Sequence, residues 1–156
     1  MWTERLKRMR IYETPLTDEV LDLLIAFSRD WEKENSCHGY RQNDRSDIEN
    51  NRIFLAEEDG KIIGYLFGCA EKSQRASSIM PDGTPYFEVE ELYVIPEMRS
   101  RGIGGALFRF VEDRLREEGM PYLMLSTATK NHRAILHFYL DEMGMDFWSA
   151  RLYKKL

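Results

Sequence analysis

Residues 87–107 constrain the fold of this chain most, because a strand, a basic glycine-rich turn and a helix follow one another there without a break. Residues 86–94 carry bulky side chains at both alternating sets of positions, which predicts a strand that is buried on both faces. From Gly102 onward, apolar residues recur at helical spacing, and Gly119 followed by Pro121 marks the helix end. This segment favours an α/β fold.

The remaining patterns place further elements around this segment. Thr17 is a candidate N-cap for a first helix with one apolar face, and the Asp59-Gly60 pair suits a tight hairpin turn. We expect strands over 8–13, 52–57, 61–71, 122–127 and 147–153, a short helix over 46–49, and a helix over 131–143. The order predicts a mixed α/β sheet with helices on both faces, within one domain of residues 1–156.

Composition excludes several classes of partner. The net charge is −5, and no long stripe of lysine and arginine is present, so we expect no nucleic-acid partner. Two cysteines, Cys37 and Cys69, do not form a disulfide framework, which favours a reducing cytoplasm. We expect no targeting segment and no membrane span, and the spacing of His132 and His137 predicts no metal site.

The glycine-rich turn is suited to binding an anion. Gly102, Gly104 and Gly105 allow close approach to the start of a helix, whose free N–H groups and dipole favour a phosphate, and Arg99 and Arg101 add positive charge. A turn required only for packing is the alternative, but three glycines weaken the start of a helix. Neither the dinucleotide fingerprint nor a Gly-Lys-Ser/Thr loop fits the sequence.

The turn also carries a family resemblance. Its sequence Arg99-Ser100-Arg101-Gly102-Ile103-Gly104 resembles the Arg/Gln-x-x-Gly-x-Gly/Ala signature of the GNAT superfamily of N-acetyltransferases. The resemblance covers about residues 52–145, and it includes Leu92-Tyr93-Val94 before the turn and Asn131, Ala134, Ile135 and Tyr139 after it. It implies a mixed, mostly antiparallel sheet that is splayed between its fourth and fifth strands, with acetyl-CoA in the V-shaped opening.

By this resemblance, the backbone of Leu92, Tyr93 and Val94 would pair with the pantetheine arm and the thioester carbonyl of acetyl-CoA. Such pairing resembles the addition of a strand to an open sheet edge. The residues implied to bind the pyrophosphate are Arg99, Ser100, Arg101, Gly102, Ile103, Gly104 and Gly105. Asn131 would hold the amide arm, although it is equally suited to cap the following helix.

Acetyl transfer requires a neutral amine, whereas an alkylammonium has a pKa of about 10, so a base must remove a proton. Glu88, Glu90 and Glu91 are the candidates, and strand alternation predicts Glu88 and Glu90 on one face and Glu91 on the other. Relatives that resemble polyamine acetyltransferases place a base at the position of Glu90, and others at that of Glu88. We select Glu90 as the base. The alternative for each of these glutamates is an ordinary solvated or ion-paired carboxylate without a catalytic role.

Tyr139 resembles the tyrosine that protonates the leaving thiolate in this family. Its separations from Asn131 and from Gly144 are each one residue longer than is usual, which predicts a bulge in the helix. The altered spacing leaves open that Phe138 occupies the aligned position and that Tyr139 is a core aromatic. We select Tyr139 as the acid.

The leading function is therefore transfer of the acetyl group of acetyl-CoA to a primary amine of a small molecule or peptide, directly, in a ternary complex. An acetyl-CoA-binding sensor without catalysis is the alternative. The acceptor would contact residues 31–50 and 72–85, whose acidic side chains suit a cation. The chain after Gly144 is long enough for one strand, which would leave a sheet edge for a second subunit to complete in a homodimer.

Overall fold

The computed structural model describes residues 8–156. A five-stranded sheet has its strands in the order β1-β2-β3-β4-β5. The strands are β1 (Met9–Thr14), β2 (Arg52–Glu58), β3 (Lys61–Lys72), β4 (Pro85–Val94) and β5 (Leu123–Met124). Neighbours from β1 to β4 are antiparallel, and β4 and β5 are parallel. The predicted mixed, mostly antiparallel sheet is confirmed.

Helices cover both faces of this sheet, as predicted. They are α1 (Asp18–Glu34), α2 (Arg45–Ile48), α3 (Ile103–Glu117) and α4 (His132–Leu136), and α4 continues as a π-helix over His137–Glu142. On one face, the Phe27 ring of α1 stacks on Tyr65 of β3 at 6.1 Å. On the other face, a Cβ at Gly64 would lie 3.3 Å from Leu107 of α3. No helix within residues 8–156 is long and apolar enough to cross a membrane.

Local signals in the sequence explain where several of these elements begin and end. The Thr17 hydroxyl accepts a hydrogen bond from the Val20 amide at 3.2 Å, which caps α1. Asp59 and Gly60 adopt φ of 50° and 79°, the left-handed pair that a two-residue hairpin turn requires. Gly119 follows α3 with φ of 77°, a typical helix end.

The core lies where the two long helices meet the sheet. Leu24 of α1 and Leu107 of α3 are fully buried, together with Phe54 and Leu66 of the central strands. Burial of a leucine or phenylalanine side chain stabilises a fold by about 1.5–3 kcal/mol. The sheet is therefore held firmly between α1 and α3, and β4 has a fixed position within it.

The sheet splays between its fourth and fifth strands, as the resemblance implied. The ladder between β4 and β5 contains two residue pairs, Phe87 with Leu123 and Glu88 with Met124. β4 continues to Val94, beyond the point where this pairing ends. The edge of β4 that faces β5 is consequently open after Glu88.

The expected last strand over residues 147–153 is wrong, and the strand expected over residues 122–127 is shorter than predicted. Residues 147–156 form no strand, and most of their side chains are exposed, with Phe147 at 57% and Leu152 at 94%. Alternating bulky residues favour an extended backbone, but a strand also needs a neighbouring ladder, and β5 has only two residues.

Candidate active site

A β-bulge interrupts the ladder between β3 and β4. Phe67 of β3 pairs with Glu91, whereas the next residue, Gly68, pairs with Val89, so Glu90 is an extra residue without a partner in this ladder. An extra residue reverses the alternation of side chains beyond it. Glu91 therefore lies on the same face as Glu88, and the alternation expected for these glutamates is wrong.

The glutamates of β4 have different surroundings. Glu88 is half-buried, and burial, followed by the nearby charges of Glu90 and Glu71, raises its pKa from an ordinary 4.5 to about 7. Glu90 is exposed and contacts the cleft described below. The structure thus provides one carboxyl that titrates near neutral pH and one that faces the cleft.

Glu91 is the centre of a hydrogen-bond network. Its carboxylate accepts hydrogen bonds from the Tyr65 hydroxyl at 2.8 Å, the Tyr40 hydroxyl at 3.1 Å and the Asn43 side-chain amide at 2.9 Å. Burial raises the pKa of Glu91, and the three hydrogen bonds act in the opposite direction because they stabilise the carboxylate. Among residues 8–156, no lysine, arginine or histidine forms an ion pair with it.

The glycine-rich turn leads directly into α3, and part of its backbone is left-handed. Ser100 and Gly102 both have left-handed backbones, with φ of 61° and 80°. Gly102 is the N-cap of α3 and offers no side-chain cap, so the first N–H groups of the helix remain available to an anion. A Cβ at Gly104 would make ordinary contacts at 3.8 and 3.9 Å, so packing alone does not demand glycine there.

The two arginines of the turn are placed differently. The Nη2 of Arg99 donates to Glu34 of α1 at 2.9 Å, and its Nε donates to the Val94 carbonyl at 2.8 Å. Arg99 therefore ties the turn to α1 and occupies one backbone acceptor of the predicted pantetheine segment. Arg101 is exposed, and its nearest polar partner is the sulfur of Met98 at 3.5 Å.

Tyr139 lies on the π-helical continuation of α4, where the predicted bulge occurs. Tyr139 is 9% exposed and contacts the cleft, and burial raises the pKa of its hydroxyl to about 12. Phe138 instead points at the start of α3, 3.8 Å from a Cβ built at Gly104. Asn131 caps α4 by accepting from the Ala134 amide at 3.4 Å, the alternative role considered for it.

A cleft of about 280 Å³ occupies the opening between β4 and the chain that follows β5. It brings Glu90, Leu92 and Tyr139 together. Tyr93, Val94, Asn131 and the turn of residues 99–105 are not among its lining residues. The predicted site residues thus lie in separate places, with one group at the cleft, one at the start of α3, and Asn131 at the start of α4.

The segment that closes one side of this cleft lies within residues 31–50, where the acceptor was expected to bind, but its pairing with the chain after β5 was not predicted. We call residues 36–44 the bridging loop, and its first part, residues 36–38, pairs antiparallel with the chain after β5. The His38 amide donates to the Ala128 carbonyl at 2.9 Å, and the Lys130 amide donates to the Ser36 carbonyl at 2.8 Å. These contacts join residues far apart in sequence, so no local pattern indicated them.

Comparisons with known proteins agree with this geometry. Residues 18–145 match the acetyltransferase (GNAT) family. The chain is 34% identical over 90 residues to a mycothiol acetyltransferase of Cellulomonas flavigena, which covers 56% of this chain and 24% of that protein. It is 28% identical over 101 residues to an uncharacterized N-acetyltransferase in the pepI 3' region of Lactobacillus delbrueckii subsp. lactis, which covers 65% of this chain and 55% of that protein. The chain therefore aligns with about a quarter of the first relative and about half of the second.

Solved structures share the fold at low sequence identity. An aminoglycoside acetyltransferase, meta-AAC0020 from an uncultured soil metagenomic sample, has a TM-score of 0.68 and 19% identity over 96% of this chain and 97% of its own. AAC(6')-Iy in complex with the bisubstrate analog CoA-S-monomethyl-acetylneamine has a TM-score of 0.65 and 18% identity, and the match covers 95% of this chain and 98% of that one. Since the family match spans residues 18–145 and the splayed sheet is present, this chain belongs to the GNAT family of acetyltransferases.

Proposed function

We propose that this protein is an N-acetyltransferase that moves the acetyl group of acetyl-CoA directly to a primary amine of a small molecule or peptide, in a ternary complex. One observation carries the proposal: the open edge of β4 leads from the cleft with Glu90 and Tyr139 to the uncapped start of α3. One elongated ligand, with a diphosphate at one end and a reactive carbonyl at the other, fits both groups of residues.

The residues present suit acetyl-CoA. The first N–H groups of α3 and the exposed Arg101 would hold the pyrophosphate, and Gly104 leaves room for it beside the helix. Backbone groups of Leu92 and Tyr93 on the open edge of β4 would pair with the pantetheine amides. Acetyl-CoA supplies an activated thioester carbonyl, and the chain's own residues bind, orient and move protons.

Two side chains would handle the protons of the reaction. Glu90 would accept a proton from the acceptor amine, directly or through water, since its carboxylate faces the cleft. Glu88 is the alternative, because its raised pKa of about 7 suits a base that works near neutral pH. Tyr139 would donate a proton to the departing thiolate, because its hydroxyl stays protonated below a pKa of about 12.

Incubation with acetyl-CoA and a panel of acceptors tests this function. The panel contains spermidine, kanamycin, lysine and a peptide with a free N-terminus, and the release of free thiol is measured. We expect thiol release with at least one amine and none with its fully N-acetylated form. A reaction without protein is the control for spontaneous hydrolysis of acetyl-CoA. Binding of acetyl-CoA without thiol release from any amine would favour a sensor instead.

A further inference from the structure

The bridging loop spans the opening of the sheet and is attached on both sides of it. On the β5 side, its attachment is the backbone pairing of residues 36–38 with residues 128–130. On the β4 side, its attachment is the hydrogen bonding of Tyr40 and Asn43 to Glu91. Tyr40, His38 and Glu91 also line the cleft, so the loop forms one of its walls.

The attachment to β4 rests on a single carboxylate next to the bulge. The Tyr40 ring lies 4.5 Å from Trp31 of α1, so its hydroxyl is directed by a fixed aromatic contact. Asn43 is buried, and its backbone amide donates to the hydroxyl of Ser28 in α1 at 2.9 Å. The Tyr40 ring and the Asn43 backbone are therefore held from α1, and within residues 8–156 the hydrogen bonds of these two side chains to β4 all go to Glu91.

We propose that Glu91 is a positioning residue that anchors the bridging loop to β4 and so fixes the wall of the cleft that recognises the acceptor amine. This role deepens the proposed function and rests on it. Glu91 has its oxygens occupied by three donors, which leaves proton removal to Glu90 or Glu88. Glu91 is partly buried, and hydrogen bonds to a charged group are among the stronger ones in proteins, so their loss should release the loop.

Two tyrosines that share this carboxylate give a matched pair of variants. Tyr40→Phe and Tyr65→Phe each delete one hydroxyl that donates to the same Glu91 oxygen. Tyr40 belongs to the loop, whereas Tyr65 lies on β3, which the sheet ladder already holds beside β4. Only the change at Tyr40 should therefore loosen the loop. Glu91→Gln removes the charge that all three donors share.

Hydrogen exchange followed by mass spectrometry measures the loop without any acceptor. In peptides covering residues 36–43, we expect backbone amides to exchange about tenfold faster in Tyr40→Phe and Glu91→Gln than in wild type. In Tyr65→Phe, the exchange rate of the same peptides should stay within about twofold of wild type. A peptide from β2 reports any global loss of stability. Wild-type exchange in both loop variants, or equal acceleration in Tyr65→Phe, would overturn the anchor.

Kinetics with the best acceptor of the panel above provides the second measurement. Loosening of the acceptor wall should raise the acceptor KM about tenfold in Tyr40→Phe, with kcat within about threefold and the acetyl-CoA KM unchanged. A fall in kcat at constant acceptor KM would overturn the positioning role. If no amine is acetylated, the proposed function fails, and the exchange measurement still decides whether Glu91 anchors the loop.

Discussion

At the scale of single residues, the charge of Glu90 affects the protonation of Glu88, because the two residues flank Val89 on one strand. Burial and the charge of Glu90 raise the pKa of Glu88 to about 7. In the folded protein, the Glu88 carboxyl therefore keeps its proton at pH values where it has lost it in the unfolded chain. Stability therefore falls as pH rises from the unfolded pKa of about 4.5 to the folded pKa of about 7, and it changes no further above that.

Glu88→Gln should remove this pH dependence. Since Glu88 is only half-buried, solvent screening reduces the effect to about 1–2 kcal/mol. Between pH 4.5 and pH 8, the free energy of unfolding of wild type should therefore fall by about this amount relative to that of the variant. Urea unfolding of both proteins at the two pH values measures the difference. Glu49→Gln, which changes an exposed carboxyl outside the sheet, is the control and should show no such gain.

Glu90→Gln tests the assignment of the base. We expect the rising limb of kcat/KM against pH to flatten, because the group that removes the amine proton is lost, while acetyl-CoA affinity stays unchanged. High pH should partly restore the rate, since more of the amine is then already neutral. If the profile keeps its wild-type shape in Glu90→Gln and flattens in Glu88→Gln, the base is Glu88.

Gly104→Glu tests the turn. A carboxylate at this position lies beside the helix start where the pyrophosphate is expected, so acetyl-CoA binding should be lost while the fold remains. Gly104→Ala is the matched control, because its Cβ would make ordinary contacts at 3.8 and 3.9 Å, and it should bind within about threefold of wild type. Calorimetric titration checks both, and wild-type affinity in Gly104→Glu would refute the role of the turn.

At the scale of elements, the last helix contains a π-helical segment that changes the direction of its side chains. The π-helical segment His137–Glu142 turns Tyr139 into the cleft, while Phe138 packs against α3. A π-turn inserted in an α-helix often marks a functional site, because it re-aims a side chain that regular spacing would point elsewhere. The long spacing from Asn131 to Tyr139 predicted this bulge from sequence.

Tyr139→Phe should lower kcat about a hundredfold or more, since the loss of a general acid typically has that effect. Acetyl-CoA affinity and stability should change little, because the ring remains to pack against Phe108 at 6.0 Å. Steady-state kinetics across pH checks this, and high pH should not restore the rate. A variant with nearly wild-type kcat would assign the proton to solvent or another residue.

Elements with local signals could be predicted from sequence, and those that depend on distant partners could not. Thr17, Asp59-Gly60 and Gly119 mark boundaries through their own backbone preferences, so α1, the hairpin and α3 are as expected. The bulge at Glu90 depends on its register with β3, and the expected strand over residues 147–153 lacks a ladder partner. In the site, the turn was therefore predicted, whereas the face of Glu91 and its partners Tyr40 and Asn43 were not.

At the scale of the whole molecule, the cleft and the start of α3 are two separate regions, and the proposed ligand would have to contact both. The start of α3 attracts a phosphate but is an open surface, and helix N-termini bind anions of many kinds. The open edge of β4 offers backbone donors and acceptors to a ligand with amides of its own. Selectivity should therefore arise from engaging both regions at once.

Thermal unfolding with different nucleotides tests this selectivity. A ligand that binds only the folded state stabilises it by an amount that grows with its concentration relative to Kd, so Tm ranks affinities. CoA and acetyl-CoA contain both a diphosphate and pantetheine amides, and at equal concentration they should raise Tm by several degrees. ATP contains the phosphates without the amides, so it should raise Tm by less than about one degree. Equal shifts with ATP and CoA would mean that the turn alone determines binding and that β4 contributes nothing. A shift with CoA that persists in Gly104→Glu would place the ligand elsewhere, because that substitution blocks only the start of α3.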